Sequence, residues 1–152
     1  MSVEIIDYSD ELKSYIKILN EEWLQKYFRV EESDTRSLSD PQREIIDKGG
    51  YIYYARYNGE IVGTASLMKV DDAVYELAKM AVTDSAQGLG IGRILLEHCL
   101  WVAREKGIGK VILYSNTSLH PAIHLYRTYG FNEIPLEHQH YERANIKMEI
   151  VL

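Results

Sequence analysis

The sequence predicts an α+β (mixed α/β) fold with a largely antiparallel central sheet flanked by helices, and three observations carry that prediction. Runs from Tyr51 to Tyr57 and from Glu60 to Met68 read as strands. Asn58-Gly59 joins them, and both residues tolerate the positive φ of a tight hairpin. A third run, Val74 to Thr83, follows a turn at Asp71-Asp72, and behind it a helical pattern leads to another short apolar strand. Antiparallel strands that precede a strand-helix-strand crossover give this class.

The elements follow in order. Val3-Glu4-Ile5-Ile6-Asp7 alternates apolar and polar residues as a first strand does. Ser9 or Asp10 is suited to cap the helix whose apolar residues recur at Leu12, Ile16, Leu19, Trp23 and Tyr27. Periodicity is lost from about Phe28 to Ser39, where Glu31, Glu32 and Asp34 suggest a surface loop. Asp40-Pro41 opens a short helix that Gly49-Gly50 ends. After the three strands, a helix is expected from about Gly88 to Lys106, broken by Gly107 and Gly109. Val111 to Tyr114 is the short buried strand. Pro121 fits the first turn of the next helix, and Gly130 fits the position just past its end. A strand beginning at Phe131, a loop from Pro135 to about Arg143 and a strand from Asn145 to Val151 complete the chain.

Composition bounds what this fold does. The 152 residues suit one domain spanning 1–152, with enough chain to bury a real core. Hydrophobic content of 46% and charged content of 26% are ordinary for a globular protein. No run approaches eighteen apolar residues and no basic, apolar leader opens the chain, so neither a membrane span nor an export signal is expected. Cys99 is the only cysteine, which excludes an intrachain disulfide and suggests a packed thiol in a cytoplasmic protein. A formal charge of −6 with no basic stripe argues against nucleic acid. Of five histidines, His120, His124, His138 and His140 lie in the last third, but their spacing does not match a zinc site and no metal is expected.

The most informative stretch is Gln87-Gly88-Leu89-Gly90-Ile91-Gly92-Arg93. Three glycines at alternate positions strip Cβ atoms from one side of a loop, so a ligand can approach the backbone. The helix that follows offers unpaired N–H groups and about half a positive charge, a site suited to phosphate oxygens. No Gly-Lys-Ser/Thr follows, as a P-loop requires, and the spacing is not that of a dinucleotide-binding turn. The Q-x-x-G-x-G pattern resembles the pyrophosphate loop of the GNAT superfamily of acyl-CoA-dependent N-acetyltransferases. The run Ala122-Ile123-His124-Leu125-Tyr126-Arg127-Thr128-Tyr129-Gly130-Phe131 is similar to that superfamily's A-x-x-L-Y-x-x-x-G-F signature.

The resemblance implies the GNAT fold over nearly the whole chain, although the specific motifs lie between about Glu76 and Phe131. It implies acetyl-CoA as co-substrate, with Gln87, Gly88, Leu89, Gly90, Ile91, Gly92 and Arg93 around the pyrophosphate. It places Met80, Ala81 and Val82 on the strand that pairs with the pantetheine arm. The family's usual pantetheine asparagine position is Leu119 here, so Asn116 either reaches the same arm or simply shapes its loop. Tyr126 occupies the position of the general acid that protonates the leaving thiolate, a role that suits a phenol of pKa ~10. Glu76 lies eleven positions before Gln87, where the histone acetyltransferase branch places its catalytic glutamate. It is the general-base candidate, with water the alternative.

The segment joining the first two helices lines the acceptor side in that family, which makes Trp23, Tyr27, Phe28, Glu31 and Glu32 candidate acceptor contacts. Read as residues alone, they also fit an aromatic core stripe beside a solvated acidic loop. Glu137, Tyr141 and Glu142 are placed to close over the acceptor amine. The activity expected is transfer of acetyl from acetyl-CoA to a primary amine by direct attack. A small amine or amino-acid-like metabolite is the first acceptor class, and a protein lysine or N-terminus the second. A non-catalytic acyl-CoA-binding regulatory module is the alternative from another class. Expected partners are thus small molecules, without nucleic acid or membrane, and a homodimer is compatible with the reading.

Overall fold

The computed structural model describes residues 2–138 and 140–152. Among the described residues, seven strands form one sheet in the order β1-β2-β3-β4-β5-β7-β6. They are β1 (Val3–Asp7), β2 (Tyr51–Tyr57), β3 (Glu60–Lys69), β4 (Val74–Val82), β5 (Lys110–Ser115), β6 (Asn132–Ile134) and β7 (Ile146–Val151). All neighbouring pairs are antiparallel except β4 with β5. The helices are α1 (Lys13–Tyr27), α2 (Glu32–Ser39), α3 (Ile91–Glu105) and α4 (His120–Thr128). Among the described residues, no helix is long and apolar enough to cross a membrane.

The pleat of β2 shows how the layers form, since successive side chains point to opposite faces of a sheet. Ile52 and Tyr54 pack with Ile16 of α1, Leu38 of α2 and Ile45. Tyr53 and Ala55 pack on the other face with Leu95, Leu96 and Cys99 of α3. Tyr54 is wholly buried and its hydroxyl donates to the Leu12 carbonyl at 2.8 Å, so its polar end is satisfied. Cys99 is buried in the core as expected, where the apolar surroundings push its thiol up to about 12. On β3, Gly63 lets α3 sit close. A Cβ there would stand 3.1 Å from both Ile91 Cγ2 and Leu95 Cδ1.

Local turn chemistry accounts for the expected connections. Asn58 and Gly59 have φ of 51° and 79° and close the β2–β3 hairpin. Asp71 accepts from the backbone N–H groups of Ala73 and Val74 at 2.8 and 2.9 Å, which turns the chain into β4. Pro121 lies in the first turn of α4, and Gly130 follows that helix at φ +101°.

Three expectations are corrected. Ser9 is extended but its side chain caps nothing, and a 3₁₀ turn over Asp10–Leu12 leads into α1. The stretch expected to be a loop from about Phe28 to Ser39 contains α2. Its sequence lacks an apolar stripe, and the helix is set instead by the Asp34 carboxylate accepting from the Glu31 N–H at 3.0 Å. The helix expected from Gly88 begins only at Ile91, because Gly88 and Gly90 take φ of +80° and +78° and belong to the preceding turn.

Two irregularities open the sheet. β4 and β5 pair only from Val74 with Lys110 to Glu76 with Ile112, and then separate. Between β3 and β4, Thr64 stands opposite Ala81 and Ser66 opposite Ala78, so β4 carries one extra residue. Lys79 sits in this bulge at φ +55°, left-handed backbone that costs a lysine of order 1–3 kcal/mol.

Leu95 is completely buried where α3 meets β3. Leu95→Ala is expected to lower the unfolding free energy by about 3 kcal/mol in urea titrations, through lost burial and the cavity left behind.

Candidate active site

A cavity of about 810 Å3 begins where β4 leaves β5. Its walls come from β4 (Glu76 to Val82), from Leu113 to Asn116 at the end of β5, and from α1, α4 and the β6–β7 connection. At one end lies the glycine turn. A Cβ placed at Gly88, Gly90 or Gly92 would meet nothing within 4 Å among the described residues, so one side of the turn is bare backbone. The N-terminus of the fifteen-residue helix α3 stands behind it, and Arg93 sits in its first turn. Such an end suits phosphate oxygens.

The sequence-expected residues here do not all behave alike. Gly88, Gly90, Ile91, Gly92 and Arg93 line the cavity, as do Met80, Ala81 and Val82. Leu89 does not, and its side chain is exposed. Gln87 also lines the cavity, but its side-chain amide donates to the Val82 carbonyl at 2.8 Å and so ties the turn back to the end of β4. Asn116 accepts from the Ser118 N–H at 2.9 Å and donates to the Arg143 carbonyl at 2.8 Å. Its side chain thus shapes its own turn and fixes the β6–β7 connection.

Tyr126 projects from α4 into the same cavity, edge-on to Phe131 with ring centroids 5.8 Å apart. Burial pushes its phenol up to about 12, and its hydroxyl bonds to no group among the described residues. A phenol so placed stays protonated and can donate.

Glu76 is the last β4 residue paired with β5 and is 5% exposed. The Tyr141 hydroxyl donates to its Oε2 at 3.0 Å, and His140 Nε2 lies 3.6 Å from Oε1. Burial raises the Glu76 carboxyl above the usual carboxylate range, although His140, the Tyr141 hydrogen bond, Lys79 and Arg143 all pull the other way. The His140 ring stacks on Tyr114 at 4.9 Å and meets Tyr141 edge-on at 4.5 Å. Of the loop residues expected over the site, Tyr141 is therefore buried in it. Glu142 is exposed and pairs with Arg29, and Glu137 is exposed.

The part that sequence reasoning missed is a buried ion cluster beside Glu76. Lys79 Nζ donates to Asp34 Oδ1 at 2.8 Å. Arg143 donates to both oxygens of Asp34, at 2.8 and 3.0 Å, and to Glu31 Oε2 at 2.8 Å. Asn20 completes it by donating to the Lys79 carbonyl at 3.1 Å. Desolvation would raise the Asp34 carboxyl, but the Arg143 hydrogen bonds and the Lys79 charge overcome it and hold it at about 2. The acid-x-x-acid pattern at Glu31 and Asp34 was the one sequence signal available. It marks a helix start, and nothing in it names Lys79 or Arg143 as partners. Glu31 supports Arg143, whereas Glu32 is exposed and pairs with Arg36 along α2.

Trp23, Tyr27 and Phe28 line the cavity from the end of α1, with Trp23 5.6 Å from each of the other two rings. Glu22, on the same helix, accepts from the Thr83 hydroxyl and the Asp84 N–H, and Lys26 pairs with Asp84 at 2.9 Å. These contacts dock the helix on the corner that leads to the glycine turn.

Residues 15–131 match the model of the Acetyltransferase (GNAT) family. The mycothiol acetyltransferase of Thermomonospora curvata is 33% identical over 86 residues, which are 57% of this chain and 29% of that protein. The N-alpha-acetyltransferase RimI of Mycobacterium tuberculosis is 33% identical over 102 residues, 65% of this chain and 63% of that protein. The chain therefore spans less than two thirds of either relative. The structure of a PaiA N-acetyltransferase from Thermoplasma acidophilum in complex with coenzyme A superposes with a TM-score of 0.77 at 21% identity, covering 100% of both chains.

The depressed Asp34 carboxyl makes stability depend on acid. Its stabilisation is complete above the ordinary Asp pKa near ~3.9 and is lost as pH falls through about 2, because the unfolded chain binds the extra proton in that window. In Asp34→Asn, the slope of unfolding free energy against pH between about 2 and 4 should fall by roughly one proton, read from denaturant titrations.

Proposed function

The chain belongs to the acetyltransferase (GNAT) family, and from that premise we propose that it transfers the acetyl group of acetyl-CoA to a primary amine by direct attack of the nitrogen on the thioester carbonyl. The observation that carries this reading is that a buried carboxyl, Glu76, and a buried phenol, Tyr126, border one cavity that ends at the glycine turn. Acetyl-CoA fits this surface, since its anionic phosphates suit the bare turn, the α3 N-terminus and Arg93. When bound, it supplies an activated thioester.

The chain's residues then divide the proton work. A primary amine with an unperturbed pKa near ~10.4 is cationic at neutral pH and must lose a proton before it attacks. Glu76, raised by burial, is nearer the operating pH than an ordinary carboxylate and receives that proton directly or through water. The Tyr141 hydrogen bond fixes which way the carboxylate faces. Tyr126 donates its hydroxyl proton to the departing sulfur. Main-chain groups of Met80 to Val82 run along the opened edge of β4, where they hold the extended arm of the donor.

A small amine is the first acceptor class. A protein N-terminus is the second, and the likeness to RimI is what favours it.

Thiol release measured against a panel of amines, with calorimetric acetyl-CoA binding alongside, tests the reading. Glu76→Gln is expected to lower kcat/KM by roughly 100-fold or more while acetyl-CoA binding is kept. In the wild type, kcat/KM should fall as pH drops through the raised Glu76 pKa, placing the acid limb above the usual carboxylate range. An acid limb that stays at the same pH in Glu76→Gln would remove this residue as the base. Tyr126→Phe should reduce kcat by about 100-fold with little change in acetyl-CoA affinity, and full turnover in that variant would remove the general acid.

A further inference from the structure

The charges beside Glu76 restrict what the acceptor can carry. Among the described residues, the lysine and arginine on this part of the cavity wall are Lys79 and Arg143, while the His140 imidazole lies 3.6 Å from Glu76 Oε1 and faces that carboxyl. Both are committed: Lys79 to Asp34, with side chains 4% and 0% exposed, and Arg143 to Asp34 and Glu31. The Arg143 guanidinium carbon also lies 4.5 Å from the centroid of the Tyr141 ring, which covers one of its faces. Two cations against two carboxylates, Asp34 buried and Glu31 partly so, close the cluster at zero net charge. Glu76 stands outside that balance as a carboxyl held by Tyr141. The wall thus presents a proton acceptor, with His140 turned to it, and no lysine or arginine left without a carboxylate, while Arg93 lies on α3 at the glycine turn.

A second observation concerns shape and polarity. Trp23, Tyr27 and Phe28 line the same cavity as a cluster of three rings, together with Leu24 of α1 and Met80 of β4. Such a wall favours an apolar or aromatic body and attracts a cationic amine as it approaches.

We propose that the acceptor is a monoamine on an apolar or aromatic body, with no carboxylate beside the nitrogen. The inference rests on the acyl-transfer reading and narrows it, because an α-amino acid would bring a carboxylate into a site whose cations are already neutralised. A buried anion left without a partner is strongly disfavoured. Bond changes remain those of acyl transfer: the C–N bond forms and the C–S bond breaks, the ammonium gives one proton to Glu76 before attack, Tyr126 protonates the departing thiolate, and the second nitrogen proton, lost as the amide forms, restores Tyr126.

The experiment compares phenethylamine with phenylalanine, which differ only by the carboxylate, and with a short peptide beginning in phenylalanine. Spermidine and a lysine peptide complete the set, all with acetyl-CoA and thiol detection. The kcat/KM for phenethylamine should exceed that for phenylalanine by about 100-fold or more, and Trp23→Ala should raise the phenethylamine KM about tenfold with acetyl-CoA affinity unchanged. Glu31→Gln leaves Arg143 one carboxylate short and should narrow the gap between the two acceptors. Circular dichroism and acetyl-CoA binding verify that both variants are folded. A ratio under about tenfold, or faster turnover of the phenylalanine peptide than of phenethylamine, overturns the proposal. Turnover of spermidine or the lysine peptide alone overturns it while acyl transfer stands, and acetyl-CoA binding without turnover of any amine removes both.

Discussion

The site depends on one buried interaction, the Asp34 carboxylate shared between Lys79 and Arg143. Asp34 comes from α2, Lys79 from the bulge of β4 and Arg143 from the β6–β7 connection, so three segments distant in sequence meet on a single anion. Burying such a group is unfavourable until both cations are in place, and removing any one partner leaves an uncompensated charge. The cluster therefore acts as an all-or-none fastener. It also offsets the left-handed backbone at Lys79, since a regular strand would not offer this side chain to Asp34 in the same way.

What is fastened is the irregular half of β4. At Tyr75 and Glu76 the strand is ordinary sheet, paired on both sides. Beyond Glu76 it parts from β5, and the bulge follows three residues later. An opened sheet exposes backbone N–H and C=O groups that must be satisfied by a ligand or by water. The same divergence that creates the cavity therefore leaves an extended edge suited to an extended donor. Gln87 and Glu22 hold the far end of that edge through Val82, Thr83 and Asp84, and the chain enters α3 in a fixed geometry.

Legibility in the sequence followed the range of the interactions. Asn58-Gly59, Pro121, Gly130 and the glycine turn are local signals, each requiring a particular φ or the absence of a Cβ, and the elements they mark are present, although the helix behind the glycine turn starts three residues later than the pattern suggests. Motif spacing singled out Glu76 and Tyr126, and both border the cavity. The helix α2 was not, because its stabilisation comes from a carboxylate at its first turn and from tertiary burial of Asp34, Ser37 and Leu38. Its residues look like a solvated loop to any periodicity argument. Lys79 and Arg143 are ordinary charged residues in sequence, and only the fold brings them within 3 Å of Asp34.

The two halves of the polar site are joined by Tyr141, which decides how far the ion cluster acts on Glu76. Its hydroxyl donates to Glu76 while the Arg143 and Lys79 cations lie 4.5 and 5.4 Å from its ring centroid. Each of these contacts favours the ionised carboxylate, as does His140, and together they would lower the Glu76 pKa. Burial works against them and wins, so the carboxyl ends above the usual range. Because the cations are largely spent on Asp34 and Glu31, their field at Glu76 is reduced, and desolvation becomes the larger effect. A free lysine or arginine at the same place would instead hold Glu76 fully ionised and weakly basic. Neutralising the cluster internally thus lets burial keep a carboxyl five percent exposed above the usual carboxylate range.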